Sequence, residues 1–320
     1  MGAHLRETLI RARRRGGARL AQVAAVTAAD TIYRIDRISE EAIVAWFEAH
    51  WPDAWPVQVV MEGVDDDEPL TFPRGTPVAR TRLKCILDPI DGTRNLMYDK
   101  RPAWALAGLA PQRQAKTELR DIFVAVMTEL PTANQGSVEQ WSAIAGRGAR
   151  GTAQDLGTGR ARRIKPRPSQ ARDCRHGFAS LVKFFPEGKE LTARIEERLW
   201  RELYGGDPGS GPLVFEDQYT TTGGQIHELL VGHDRMIGDL RPLVHRRLGL
   251  ASALVCHPYD LCTELILREA GGVVEAPFGG PVRAPLDTTS PVAWVGYANP
   301  ALARRVRPVL RKLLREAGLS

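Results

Sequence analysis

The sequence predicts a layered α/β or α+β fold, and three observations carry that prediction. Apolar runs of strand length recur at Val57–Met61, Leu83–Leu87, Trp104–Ala110 and Ile122–Leu130. Longer helix-like segments flank them at Ile38–Trp51, Lys189–Tyr204 and Asn299–Ala317. The two kinds alternate irregularly, which suits packed layers better than a regular parallel βαβ array.

Each element has a local reason. Ile38–Trp51 reads as an amphipathic helix with Ser39 as a plausible N-cap, Glu40 and Glu41 at the positive end of the dipole, and Pro52 at the exit. Asp65–Pro77 is acidic and then rich in Pro and Gly, so it reads as a loop. Pro111–Asp121 is a polar connection between two strands. Gly146–Pro168, rich in Gly, Arg and Pro, is the expected boundary between an N-terminal half (1–168) and a C-terminal half (169–320). Beyond it come a helix at Lys189–Tyr204, a break at Gly205–Pro212 and a helix at Gly224–Gly232. Tyr259–Ala270 reads as one helix stopped by Gly271–Gly272. Short strands are expected at Val273–Val274 and Val292–Val295, and a basic helix at Asn299–Ala317.

The chain has 320 residues, 43% hydrophobic and 26% charged, an ordinary globular mixture with enough length for a large core. No apolar run approaches the ~20 residues that span a bilayer. The basic N-terminus lacks the apolar core of a signal peptide, and Arg6 stands where a myristoylation signal wants Ser or Thr. The four cysteines form no CxxC pair and no zinc spacing, so reduced thiols in a cytoplasm are expected. The net charge is +6; the Arg residues are scattered, and the dense runs sit in two places, Arg11–Arg15 and Arg160–Arg167. Solvated faces explain them, with attraction of anionic substrates as the functional alternative. No zinc-finger, RNP or helix-turn-helix pattern is present, so no nucleic-acid partner is expected, and no membrane partner.

The most informative stretch is Asp88-Pro89-Ile90-Asp91-Gly92-Thr93-Arg94-Asn95, which follows the apolar run Leu83–Leu87. Two carboxylates at a strand end can converge on a hard cation, and magnesium takes few protein carboxylates while keeping water and phosphate in its shell. Pro89 stiffens the turn and stops the strand ladder. Gly92 lets the backbone approach an anion, and Thr93 offers a hydroxyl. An isolated DxxDG also serves as an ordinary satisfied turn. Glu62 at the end of Val57–Met61 and Asp260 at the start of a helix change the balance, because three acidic positions then sit at element ends. Asp260 alone would read as a helix cap.

Asp88–Asn95 resembles the DPxDGTxN signature of the inositol monophosphatase-like, lithium-sensitive phosphatases. Pro258-Tyr259-Asp260 with Glu269-Ala270-Gly271-Gly272 resembles their second signature, Ala145–Ala149 their intervening Gly-rich segment, and Tyr33–Asp36 with Ser39-Glu40 their early VTxxDxxSE segment. The matches fall in family order over roughly Ile32 to Pro300. The resemblance implies the layered αβαβα sandwich of the inositol monophosphatase and fructose-1,6-bisphosphatase type, and a Mg²⁺-dependent phosphoric monoester hydrolase. It implies that Glu62 binds the activating metal and orients water, that Asp88 bridges two metals, that the Ile90 carbonyl binds one, and that Asp91 and Asp260 bind the second. Gly92 and Thr93 would hold phosphate, the Thr93 hydroxyl would help activate water, and Asp36 would contribute to a third, weaker site through water. Substrates within reach are inositol phosphate, sugar phosphate, histidinol phosphate and nucleotide 3′-phosphate, and a homodimer fits the same resemblance. The alternative is a catalytically inactive member that binds a phosphate ligand or a partner.

Departures concentrate around the substrate. Gly63 stands where the family has a second acid or Ser, Tyr33 replaces Thr, Tyr259 replaces Trp, and Leu261–Glu264 is not the expected small-residue run. Tyr219–Pro242 forms the expected rim, with Arg241 as the candidate substrate contact and His227 and His233 as surface or core histidines.

Overall fold

The computed structural model describes residues 1–16, 23–26, 31–64, 69–205, 213–250 and 254–319. Residues 206–212 of the expected break and 65–68 of the expected loop lie outside these residues. The elements run α1 (Gly2–Gly16), β1 (Val23–Val26), β2 (Thr31–Tyr33), α2 (Arg34–His50), β3 (Val57–Met61), β4 (Leu70–Phe72), β5 (Leu83–Asp91), α3 (Thr93–Met97), β6 (Ala103–Pro111), β7 (Val124–Leu130), β8 (Ser137–Ile144), β9 (Ala149–Asp155) and β10 (Ala161–Ile164). The chain continues through β11 (Gly177–Leu181), α4 (Lys189–Tyr204), β12 (Val214–Phe215), α5 (Thr222–Val231), β13 (Asp234–Asp239), α6 (Arg241–Leu248), α7 (Pro258–Leu261), α8 (Glu264–Glu269), β14 (Val273–Glu275), β15 (Trp294–Tyr297) and α9 (Pro300–Glu316).

Two large sheets organise the chain. One has the order β10-β9-β8-β7-β6-β5-β3-β4, the other β12-β11-β13-β15-β14. Neighbours in the first are antiparallel except β3 and β5, which run parallel. Strand alternation divides its side chains between two cores. Val57, Val59, Met61, Cys85, Leu87, Ala103 and Ala105 meet Leu5 and Leu9 of α1 and Ile35, Ile43 and Phe47 of α2. Val60, Ile86, Trp104 and Leu106 point the other way, to Ile226 and Leu229 of α5 and Leu265 of α8. The same core continues through Met236 and Val295 of the second sheet to Ile195 and Leu199 of α4, and to Leu302, Val306 and Leu310 of α9. The layers therefore read α1/α2, large sheet, α5/α7/α8, small sheet, α4/α9: an αβαβα sandwich.

Several expectations change. The segment Gly2–Gly16 is a helix, and its buried Leu5 and Leu9 fix it to the large sheet. Ser39 is not an N-cap, because α2 begins at Arg34; its hydroxyl donates instead to the Asp36 carbonyl at 2.6 Å, inside the helix. The expected loop Asp65–Pro77 contains the edge strand β4. Gly146–Pro168, the expected boundary between halves, supplies β9 and β10 to the large sheet. The expected helix Tyr259–Ala270 breaks between Leu261 and Glu264 into α7 and α8. No helix among the described residues is long and apolar enough to cross a membrane, and all four cysteines are free and buried.

A buried histidine ties α5 to the large sheet. The His227 ring packs at a tilt against Trp104 (centroids 4.7 Å apart), and its Nε2 lies 3.0 Å from Glu139 of β8. Burial lowers its pKa, but hydrogen bonds to Glu139 and Glu228 outweigh that and raise it to about 9. A histidine raised in the fold above its unfolded value, near 6.5, stabilises fully below that value and loses the contribution as pH rises through the folded one. The chain is expected to lose roughly 3 kcal/mol of stability between pH 6.5 and 9.5 from this group. Urea unfolding across that range, with His227→Gln beside the parent, checks this; an equally steep decline in the variant would assign the pH dependence to other groups.

Candidate metal and phosphate site

Residues three apart on a regular strand point to opposite faces. Asp88 and Asp91 nevertheless share one. Asp88 pairs with Leu106 and Asp91 with Trp104, so three steps along β5 oppose two along β6, and a bulge carries the extra residue. Leu106 and Trp104 both face the central layer, and so do the two carboxylates. Pro89, which has no N–H to donate, sits in the bulge, and the Ile90 N–H donates to Asp88 Oδ1 at 3.0 Å. The strand therefore continues to Asp91 instead of stopping at Leu87.

Asp260 reaches the same place from α7, where the His257 N–H donates to its Oδ2 at 2.6 Å. One oxygen each from Asp88, Asp91 and Asp260 lies within 4.8 Å of the others. Burial raises the Asp88 pKa well above its usual value, and the charges of Glu62, Asp91 and Asp260 raise it further, as does a hydrogen bond with Glu62. Asp260 is raised by burial and by Asp91 and Glu62. Burial brings Asp91 to about 6 against the pull of hydrogen bonds from Gly223, Thr221 and Thr222. Asp88, Asp91 and Asp260 crowd one point beside Glu62, and burial opposes the ionisation of all three. An all-oxygen donor set of this kind fits a hard divalent cation such as Mg²⁺, whose charge restores the carboxylate form.

Asp91 is held by the start of α5. Thr221 caps that helix: its Oγ1 accepts from the Gly224 N–H at 2.7 Å and donates to Asp91 Oδ2 at 2.8 Å, and the Gly223 N–H donates to the same oxygen. Both bonds fall on Oδ2. A Cβ at Gly223 would lie 3.0 Å from Asp91 Oδ2 and 2.7 Å from Leu106 Cδ2, so only glycine admits this contact. Gly223→Ala is expected to cost about 1–3 kcal/mol by overpacking and to cut turnover at least tenfold. Thermal unfolding and turnover together test it; full activity in a stable variant would show that the clamp on Asp91 is dispensable. Sequence reasoning does not single out Thr221 and Gly223, although Thr-Thr-Gly-Gly before Ile226, Leu229 and Leu230 carries an N-cap signal.

Gly92, at φ +94°, turns the chain from β5 into α3, a conformation that favours glycine. Next to it the Thr93 hydroxyl lies 3.0 Å from the Ile90 carbonyl and 3.1 Å from Asp36 Oδ1, which joins the first turn of α2 to the loop after β5. Gly63 has a counterpart in space: a Cβ there would fall 2.2 Å from Glu40 Oε1, so the missing side chain makes room for a carboxylate of α2. The Glu40 pKa rises to about 7 through burial and the neighbouring Asp36.

Arg241 differs from the rim contact expected of it. It is buried, its Nε lies 2.9 Å from Asp239 Oδ1, its Nη1 donates to the Leu254 carbonyl at 2.7 Å, and the guanidinium sits 4.7 Å from the Phe184 ring centroid. Its donors are spent on the fold, and what reaches the site is its charge, which lowers the pKa of Asp91 and Asp260. His233 pairs with Glu228 at the surface. Tyr259 is buried, with its hydroxyl 3.1 Å from His257 Nδ1.

No family model matches the chain, and no curated protein matches it. Solved structures do. Leishmania major fructose-1,6-bisphosphatase in holo form aligns over 98% of this chain and 90% of its own, with a TM-score of 0.67 at 15% identity. Extragenic suppressor protein suhB from Bartonella henselae aligns over 98% and 94%, with a TM-score of 0.62 at 19% identity. The Thermotoga maritima IMPase aligns over 98% and 95%, with a TM-score of 0.61 at 16% identity. The chain has the αβαβα fold that these bisphosphatase and IMPase structures share.

Proposed function

We propose that this protein is a Mg²⁺-dependent phosphatase of the inositol monophosphatase-like family that hydrolyses a small phosphate monoester. The observation that carries the reading is the convergence of Asp88, Asp91 and Asp260 within 4.8 Å, at the strand end that precedes Gly92 and Thr93. Sequence order alone does not bring Asp260 there; the fold does, and phosphatase structures match that fold along nearly the whole chain. Asp88, Asp91, Asp260, Glu62 and the Ile90 carbonyl would hold two ions, with Asp36 near a third. Divalent cations there supply charge neutralisation and acidify water. The chain's own groups do the rest. The Gly92 and Thr93 N–H groups orient phosphate, Glu62 and the Thr93 hydroxyl position and deprotonate water, and Asp36 holds the Thr93 hydroxyl in place. Phosphoryl transfer demands this positioning more than covalent catalysis.

Arg241 is committed to Asp239, but Tyr219–Pro242 departs in composition from the family's rim and Tyr259 stands where the family has Trp, and on that ground we propose that myo-inositol 1-phosphate is not the best substrate. Phosphate release from inositol 1-phosphate, fructose 1,6-bisphosphate, histidinol phosphate and adenosine 3′,5′-bisphosphate, with Mg²⁺ and with chelator, tests both statements. Mg²⁺-dependent release from one of them is expected. Release that survives chelation removes the metal mechanism, and a clear preference for inositol phosphate removes the specificity reading.

A further inference from the structure

The net positive charge of this protein equals that of one segment, residues 146–170, which supplies β9 and β10 to the edge of the large sheet. Residues 146–170 hold seven Lys or Arg and one Asp, while the rest of the chain balances 37 Lys or Arg against 37 Asp or Glu. Arg150, Arg160, Arg162, Arg163, Lys165 and Arg167 are all exposed, and none takes part in an ion pair among the described residues. Arg150 lies on β9, Arg160 in the turn between β9 and β10, Arg162 and Arg163 on β10, and Lys165 and Arg167 on the extended chain just after it, and β10 is the outermost strand. The one acid of the segment, Asp155, accepts bonds from Gly157 and Thr158 within its own turn. From neighbouring elements, Glu139 lies near Arg162, and Glu269 binds the backbone N–H groups of Gly146 and Gly148.

Two readings compete with a docking role. Steering of substrate is weak for the strand arginines, because five strand steps of about 4.8 Å separate β10 from β5, well beyond a Debye length of about 8 Å. Protection of an edge strand needs one or two charges, and it does not explain seven basic residues against one acid in this segment.

We propose that this edge binds single-stranded nucleic acid through its phosphodiester backbone. The arrangement favours a flexible polyanion over a membrane surface. Arg162 stands opposite buried Ala153 and Arg163 opposite exposed Thr152, so successive arginines point to opposite faces of the sheet. A plane of lipid headgroups meets one face only, whereas a flexible strand can wrap the edge and meet both. The segment 146–170 contains no aromatic residue, so bases have nothing there to stack on, and binding is expected to be indifferent to sequence.

The test is fluorescence anisotropy with a labelled single-stranded RNA carrying a 5′-hydroxyl, so that no terminal monoester competes for the pocket. About five phosphate contacts predict a roughly hundredfold loss of affinity between 50 and 200 mM salt. The variant R160Q/R162Q/R163Q/K165Q is expected to bind at least tenfold more weakly. R246Q/R247Q/R304Q/R315Q, which removes the same charge from exposed positions elsewhere, is expected to stay close to the parent. The milder R163Q/K165Q, with an unchanged thermal midpoint, is expected to show an intermediate loss and separates lost contacts from lost folding. Absence of RNA binding by the parent, equal weakening in the control variant, or binding confined to phosphatidylserine vesicles each overturns the proposal.

Discussion

Asp91→Asn is expected to lower kcat by about three orders of magnitude or more, ~4 kcal/mol of transition-state stabilisation, while the chain remains folded. The substitution keeps the side chain's volume and an oxygen that accepts from Thr221 and Gly223. It removes one of the charges that crowd Asp88 and Asp260. In metal-free buffer the variant should therefore melt no lower than the parent, because buried like charges repel. Added Mg²⁺ should raise the thermal midpoint of the parent and leave that of the variant unmoved, since ligand binding to the native state alone stabilises it. Undiminished turnover in the variant would remove Asp91 from the site, and an equal Mg²⁺ response in both proteins would place the ion elsewhere.

Thr93→Ala is the second large effect, expected to lower kcat about a hundredfold or more with little change in KM. The hydroxyl sits between the Ile90 carbonyl and Asp36, positions from which it can pass a proton without touching the leaving group. An interaction made mainly in the transition state appears in kcat, whereas one made equally in the ground state appears in KM. Thr93→Ser retains the hydroxyl and should recover most of the loss. A change confined to KM would reduce Thr93 to a binding residue, and failure of serine to rescue would point to the lost methyl.

Local patterns read well where one element determined them. Val57–Met61 and Lys189–Tyr204 occupy the expected residues because a short apolar run and helical periodicity are properties of neighbours in sequence. Asn299 caps α9 through its side-chain oxygen, which accepts from the Ala301 and Leu302 N–H groups. The helix α1 escapes a reading of the sequence because its apolar positions are few among Arg6, Arg11 and Arg13, and only packing against α2, β6 and β7 gives them partners. Ser39 misleads because a serine followed by two glutamates looks like a helix start wherever it occurs, and the true start at Arg34 carries no such signal.

The sequence by itself determined the chemical kind of the site: acids at the ends of apolar runs, a Gly-Thr turn after them, and the spacing Asp88-x-x-Asp91. Tertiary structure decided how those groups act. The bulge against β6 turns Asp88 and Asp91 to one face, the α5 N-terminus more than a hundred residues later clamps Asp91, and Asp239 withdraws Arg241 from the rim. The same packing put the basic run that the sequence already displays, Arg160–Arg167, at the outer edge of the large sheet. The reason is electrostatic. A carboxylate's or guanidinium's role depends on the charges and donors within a few ångströms of it, and those are set only when distant strands and helices pack together.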